Sequence, residues 1–365
     1  MSDVGVAVVG AGYFGRALAR AVQAIPGARL VAITSRTAAR AQAAAAELGA
    51  RWVLDLEAVL ADAAVQAVIV ATPNHQHRDP VVLAAQAGKH VFCEKPMALS
   101  VADCDAMIAA TRRAGVTLML GHMQHFYDGV RLARTVIASG AIGTPIVARV
   151  ERTGWEPARQ QVSWKKMRAA SGGHLFHHIH EIDLLLWFLG PVESVYARAA
   201  NLAHRGEGYG DEDDVVLVSL RFRSGALATL DYGSAFWLDE HYVKVGGTLG
   251  GVVLDSKRAR VVIRRAGEAD QVEPLFRDPR AQASMLELFA RTHGGITYGL
   301  PGETPPYFLQ QAVEQELRVF VDAVAGRPIP EEYRVLFGGE AGRSAVEVAE
   351  AAMRSAALGE AVPLT

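Results

Sequence analysis

The stretch VGVAVVGAGYFGRALA, residues 4–19, decides the fold. It opens with an unbroken apolar run, turns on glycines and continues with helical spacing. Gly10, Gly12 and Gly15 stand in GxGxxG order between the strand and the helix. Each has a separate task there. Gly10 permits a tight turn, Gly12 lets a pyrophosphate approach the backbone, and Gly15 lets the helix pack closely on the strand. The helix beginning at Tyr13 and Phe14 turns unpaired N–H groups and a positive dipole end to the same place. The pattern predicts a dinucleotide site formed by Gly10, Gly12, Tyr13, Phe14 and Gly15.

The flanking rhythm supports that reading. Apolar runs at 4–10, 29–34, 65–71, 89–94 and 116–120 alternate with Ala-rich helical stretches at 13–24, 37–48, 79–87 and 100–113. Uniformly apolar strands that alternate with helices predict a doubly wound parallel sheet covered on both faces, the Rossmann arrangement. Beyond residue 122 the rhythm changes. A helix at 128–139 and another from about 175 to 188 precede consecutive strands in 192–263, whose short Gly-containing turns predict a large, mainly antiparallel sheet. Late helices fall near 308–325 and 339–357, and the Gly-, Pro- and Arg-rich stretch 265–305 reads as a long excursion or interface loop. The expected organisation is α/β: a dinucleotide domain over 1–122 and an α+β domain over 123–365, with the late helices able to pack back on the first.

At the end of the second strand, a site for NAD usually carries an acid that bonds the ribose 2′-hydroxyl. Here the chain reads Thr34-Ser35-Arg36-Thr37, and no acid follows before Glu47. Ser35, Arg36 and Arg40 can instead give charge-assisted hydrogen bonds to a 2′-phosphate. This tilts the expectation to NADP over NAD, although an arginine also stacks on adenine.

Bulk properties narrow the partners. The 365 residues carry 37 Lys and Arg against 39 Asp and Glu, a net charge of −2, which offers no general attraction to nucleic acid or anionic lipid. The two cysteines, Cys93 and Cys104, have no CxxC partner, which fits a reducing compartment better than a disulfide scaffold. The acidic start MSDVGV runs straight into a strand and lacks the basic region of a signal peptide; no apolar run approaches the ~20 residues of a membrane helix. A cytoplasmic protein is expected.

The stretch VIVATPNHQHRDPVVLAAQAGKHVFCEKPMALS contains Thr72-Pro73-Asn74 with His77, then Gly88-Lys89-His90-Val91 and Glu94-Lys95-Pro96. It resembles the glucose–fructose oxidoreductase / inositol dehydrogenase / MocA family of NAD(P)-dependent enzymes. The likeness extends through GHMQHF, whose His125 is expected to bind substrate, through SGAIGTP, and to a GG..HxxD helix and a following antiparallel sheet. It implies that Thr72, Pro73, Asn74, His77, Glu94 and Lys95 line the cofactor, and that the second domain's sheet joins copies into a homodimer or homotetramer. Lys95 also makes sense from the residues alone. Pro96 pushes it into an extended conformation after a buried strand, at the sheet edge where α/β ligands bind. A desolvated lysine there can shuttle protons or bond a reacting oxygen; read alone, a surface lysine beside Glu94 is the simpler account.

The segment SGGHLFHHIHEIDLLLW, 171–187, carries four of the twelve histidines. In many relatives a His, an Asp four residues before it and the EKP lysine form the catalytic group. This chain keeps His180-x-x-Asp183, but Phe176 stands where the earlier Asp is expected. On a helix His177 and His180 would share a face. The expected roles are His180 as general base, Lys95 polarising the same oxygen, His177 orienting or relaying, and Asp183 orienting the imidazole or binding substrate. The lost Asp implies a substrate unlike that of the inositol enzymes. His174 with His178, and His177 with Glu181, also have the spacing of metal-ligand pairs, but no third ligand is evident, and the expectation is no metal.

Upstream, TGWEPARQQVSWKKMRAASGG brings Trp155, Trp164, Lys165, Lys166 and Arg168 near the histidines. Aromatic faces and fork-like donors suit a sugar ring or an acidic sugar; the tryptophans equally suit a loop anchor or a subunit contact. The acidic DEDD at 211–214 reads as a solvated strand entrance. Three functions remain open. The resemblance favours an NAD(P)-dependent oxidoreductase that exchanges hydride with a secondary hydroxyl of a sugar, glycoside, anhydrosugar or cyclitol. The others are a glycoside-cleaving enzyme using transient oxidation by bound nicotinamide, and a cofactor-binding sensor.

Overall fold

A computed structural model describes residues 3–292 and 304–364, with the side chain of Arg40 outside the described set. The chain divides into two compact units. The first ends at Met123 and takes up the chain again over Leu309–Arg343; the second begins at Gln124 and also receives the chain from Ser344 onward.

The first unit is built on a parallel six-stranded sheet: β1 (Val4–Val9), β2 (Ala28–Thr34), β3 (Arg51–Val53), β4 (Ala67–Val70), β5 (His90–Glu94) and β6 (Leu118–Gly121). Their order is β3-β2-β1-β4-β5-β6. That is the doubly wound order, reversing direction at β1. Every residue of β1 and β4 is buried, as expected where helices cover both faces. The helices are α1 (Tyr13–Ala24), α2 (Ala38–Leu48), α3 (Leu56–Ala61), α4 (Arg78–Gln86) and α5 (Val101–Ala114). Ser100 starts α5 by accepting from the N–H of Asp103 at 3.1 Å. The expected strands and helices recur within a few residues; β3 and α3 were not expected, being short and half-exposed.

The second unit carries α6 (Asp128–Ala138), α7 (Arg168–Ser171), α8 (His174–His177), α9 (His180–Leu189) and α10 (Pro279–Arg291); α11 (Tyr307–Val324) and α12 (Glu340–Leu358) follow in the chain. Its strands are β7 (Pro145–Thr153), β8 (Val192–Ala200), β9 (Val215–Phe222), β10 (Leu227–Gly233), β11 (His241–Gly247), β12 (Gly250–Asp255), β13 (Arg260–Arg265), β14 (Gln271–Pro274) and β15 (Val362–Pro363). They form one sheet in the order β14-β13-β12-β11-β7-β10-β9-β8-β15. It is mixed: β10 runs parallel to β7, and the other described pairs are antiparallel.

Three expectations need correction. The supposed excursion contains β14, which pairs with β13, and α10, whose first turn is capped by Asp278 and opened by Pro279; residues 293–303 lie outside the described set. The helix expected over 175–188 is interrupted. His178 leaves the helical region (φ −109°, ψ 38°), and its carbonyl faces the hydroxyl of Tyr232 at 3.4 Å. The DEDD segment is only partly solvated: Asp211 is exposed, but Glu212 and Asp214 are 6% and 1% exposed.

Candidate active site

The turn after β1 has the geometry its glycines imply. Gly10 has φ +117°, and a Cβ there would lie 2.4 Å from the carbonyl oxygen of Ala71. A Cβ on Gly15 would meet the oxygen of Gly10 at 1.8 Å, so the helix leans directly on the turn. At Gly12 a Cβ would meet nothing within 4 Å. That open backbone sits at the N-terminus of α1, with no side-chain cap and no acid in the first turn. These residues fit a pyrophosphate. Tyr13 and Phe14 are half-buried beside it, Ser35 is half-buried, and Arg36 is exposed at the end of β2. With the Gln76 amide oxygen turned toward it, Arg36 donates to that oxygen at 3.0 and 3.1 Å. The side chain of Arg40 lies outside the described residues.

Two segments close the adjacent strand ends. Thr72 donates to the carbonyl of Gln76 at 3.1 Å, and Asn74 is buried at the start of a short 3-10 turn. His77 is also buried; its Nδ1 lies 2.8 Å from the carbonyl of Pro96 and its Nε2 lies 2.9 Å from that of Thr72. A neutral imidazole has one N–H to donate; carried on Nδ1, it fastens the TPN segment to the EKP segment. Burial holds its imidazole below the usual range. Lys95 is half-buried just past β5, on the same carboxyl edge of the sheet as the glycine turn.

Glu94 behaves differently from a simple surface partner of Lys95. Its Oε2 accepts from the backbone N–H of Lys95 at 3.2 Å, and its carboxyl packs over Gly121. Burial pushes its pKa up to about 7, although the charge of Lys95 opposes the shift. Glu316, on α11, is wholly buried, and burial together with the charge of Glu94 raises it well above the carboxylate range. Nothing in the local sequence marks Glu316, because its neighbour lies more than two hundred positions earlier.

In the second unit the histidine segment is a hub. His177 ends α8 and His180 opens α9, so the shared helical face expected from their spacing does not exist. His180 is 1% exposed. The ring of Trp164 meets His177 edge-on, with centroids 6.2 Å apart. His177 in turn meets His178 at 4.8 Å, and His178 stacks with His174 at 5.5 Å. Two of the expected substrate and catalytic residues prove to be partners: His125 Nε2 lies 2.7 Å from Asp183 Oδ2, both buried, and the His125 ring lies 4.1 Å from Trp187.

Glu181 is the most committed carboxylate here. Arg152 donates to both its oxygens at 2.9 and 3.2 Å, His241 Nε2 lies 2.9 Å from Oε1, and Tyr232 donates to Oε2 at 3.2 Å. Burial alone would raise its pKa, but Arg152 and His241 bring it down to about 2. The His177–Glu181 metal pairing is replaced by this network. No group of three or more metal-ligating side chains occurs among the described residues.

Trp155 stacks on Trp237 at 4.1 Å with planes 11° apart, and its ring lies 5.0 Å from that of His204. Lys165 is exposed on the 3-10 turn Trp164–Lys166. Arg168 is already occupied, donating to the carbonyl of Asp211 at 3.2 Å and pairing with Asp213 at 3.0 Å. Asp214 accepts from three successive backbone N–H groups, Leu202, Ala203 and His204, at 2.7–2.8 Å. Burial opposes its charge, yet those donors hold it below the usual carboxylate range.

Comparison with known proteins places these features in a family. The profile of an oxidoreductase family's NAD-binding Rossmann fold matches residues 4–122, and that of the same family's C-terminal alpha/beta domain matches 134–364. The chain is 38% identical over 358 residues to 2,7-anhydro-N-acetylneuraminate hydratase of Mediterraneibacter gnavus, covering 97% of this chain and 95% of the other. It is 31% identical to myo-inositol 2-dehydrogenase of Thermotoga maritima over 73% of this chain and 79% of that one. Among solved structures, GenD2 from gentamicin A biosynthesis in complex with NAD superposes with a TM-score of 0.79 at 27% identity, covering 100% and 97% of the two chains.

Proposed function

Because this chain belongs to the glucose–fructose oxidoreductase / inositol dehydrogenase / MocA oxidoreductase family, we propose that it exchanges hydride with a ring hydroxyl of an anhydrosugar or related sugar acid. The observation that carries the reading is the open Gly12 turn at the N-terminus of α1, on the same sheet edge as Lys95. Gly10, Gly12 and the first turn of α1 would hold the pyrophosphate, and the bound nicotinamide supplies hydride acceptance and return. Lys95 is assigned to the reacting oxygen and His180 to its proton; His177 and Trp164 are assigned to the sugar.

The finer cofactor choice is NADP over NAD, supported by Arg36 and by the lack of an acid after β2. Arg36→Ala should weaken NADP binding more than NAD binding in calorimetry; equal weakening overturns the phosphate role. Cytoplasmic location is proposed from two buried free cysteines. No helix among the described residues is long and apolar enough to cross a membrane. A homo-oligomer through the nine-stranded sheet is proposed from Val147 and Leu227, directly opposed across β7 and β10 yet about half exposed (49% and 55%). Leu227→Lys should lower the mass seen by light scattering.

The full-length likeness to a hydratase favours a second form of the same chemistry, in which the hydride returns to the product and no net oxidation occurs. Absorbance at the reduced-nicotinamide band, followed with product analysis over a panel of anhydrosugars, sugar acids and inositols, separates the two. Stoichiometric growth supports net oxidation; product without growth supports the returning cycle. Near-normal turnover by Lys95→Ala or His180→Ala with cofactor still bound overturns the assigned roles.

A further inference from the structure

The acidic segment before β9 is stitched to the Trp164–Lys166 turn along its length. The backbone N–H of Asp211 donates to the carbonyl of Lys166 at 3.1 Å, and that of Arg168 donates to Asp211 Oδ1 at 2.6 Å. At the centre stands Glu212. Lys166 Nζ lies 2.7 Å from its Oε1 and 2.7 Å from Oε2 of Glu156, just after β7. On the other side, His174 Nε2 lies 3.4 Å from the same Glu212 oxygen. Glu212 and His174 are 6% and 5% exposed. One carboxyl group thus holds the turn that carries Trp164 through Lys166 and lies against the first residue of the histidine helix, while Trp164 reaches His177 at the helix's other end.

We propose that Glu212 is a positioning residue of this site, fixing the Trp164–Lys166 turn against the histidine segment and thereby setting how Trp164 and His177 face a sugar. The inference rests on the proposed carbohydrate chemistry for its consequence in turnover, but not for its geometry. A carboxyl in this place changes charge where enzymes work. Burial pushes Glu212 up to about 7, with Lys166 only partly offsetting it and the charges of Glu156 and Asp211 adding to the rise. The groups that face it are Lys166, Glu156, Asp211 and His174. His174 is itself held well below the usual imidazole range by burial, with Lys166, Arg152 and His204 adding to the effect. Above pH ~7 the carboxylate grips Lys166; below it, the neutral acid leaves Lys166 to Glu156 alone.

The test compares the full chain with Glu212→Gln, a neutral isostere that mimics the protonated acid. Without substrate, the indole N–H signal of Trp164 and the ring signals of His177 are followed by NMR across about pH 5–9. The wild type should show an inflection near 7 shared by both rings, and Glu212→Gln should lack it. With a turned-over sugar, Glu212→Gln should lose about tenfold to a hundredfold in kcat above neutrality, converging with wild type at lower pH, while cofactor affinity stays within about twofold. Identical titration curves in the two proteins overturn the proposal. If no sugar of the panel is turned over by wild type, the function reading fails while the NMR comparison still decides this one. Should Glu212→Gln not fold, Lys166→Gln removes the same link from its other end. A folded Lys166→Gln without the inflection supports the proposal; loss of folding in both reduces Glu212 to a structural residue and overturns it.

Discussion

Replacing Glu181 by alanine tests the buried network of the second unit most directly. The side chains of Glu181 and Arg152 are 1% and 4% exposed, so neither can turn to water when its partner is removed. The substitution leaves a guanidinium in the interior without its carboxylate, a loss of about 3–5 kcal/mol. It also strips an acceptor from His241 and from Tyr232, each worth about 1 kcal/mol or more, though contributions within one network do not simply add. A total of about 4 kcal/mol is a large share of the ~5–15 kcal/mol that stabilises a domain. For a unit of this size it corresponds to a fall in melting temperature of about 8–16 °C. Urea unfolding followed by tryptophan fluorescence reads the loss, analysed by transition because two units need not unfold together. The pH dependence adds a second check. With its pKa lowered from 4.5 to about 2, Glu181 contributes fully above pH 4.5 and loses that contribution as pH falls to about 2. The shift corresponds to stability on the order of 3 kcal/mol. Wild type and Glu181→Gln should therefore differ at neutral pH and converge across that acid window. A Glu181→Ala protein within about 1 kcal/mol of wild type at pH 7, or a difference constant with pH, refutes the reasoning.

Other perturbations probe the first unit. Gly12→Val should fold normally, because the added atoms enter open space, yet bind cofactor at least about tenfold more weakly by calorimetry. Gly15→Ala should instead lower the melting temperature, since its Cβ would sit 1.8 Å from the oxygen of Gly10. Glu316→Met should be neutral or stabilising by about 1–3 kcal/mol at pH 8, because it removes a buried carboxyl whose two oxygens meet no donor among the described residues; a marked loss in urea unfolding would show that the acid is needed. Glu94 titrates at about 7 in the fold against 4.5 unfolded, so its contribution favours the fold below pH 4.5 and declines as pH rises to about 7, which a pH series of the same unfolding curves should show.

What the sequence made legible follows the range of the interactions. The glycine turn, the strand–helix alternation and the strand boundaries rest on backbone needs within a dozen residues, and each stands where periodicity put it. A capping signal went unread: Asp278-Pro279 starts α10 inside a stretch that composition alone turned into a loop. The misses among the short elements β3 and α3 are local, but the departures at the site are long-range. Acidic spacing at 211–214 looks like a water-facing strand entrance until Lys166 and three backbone N–H groups, brought from elsewhere, make burial tolerable.

Glu181 shows why the histidine segment misled. A helix rule sees neighbours three or four positions apart, so it offers His177 as the partner of Glu181 and His180 as the partner of His177. The rule presumes one continuous helix, and Tyr232, from β10, sits where it can take the carbonyl of His178 at the break. The same tyrosine then donates to Glu181, alongside Arg152 from β7 and His241 from β11. Three strands of the sheet thus outcompete the local helical pairing for one carboxylate. Their contributions are charge-assisted and buried, whereas an i,i+4 pair on an exposed helix is worth only about 0.2–0.5 kcal/mol. The sheet, rather than the helix on which it lies, therefore settles that Glu181 is spent on structure.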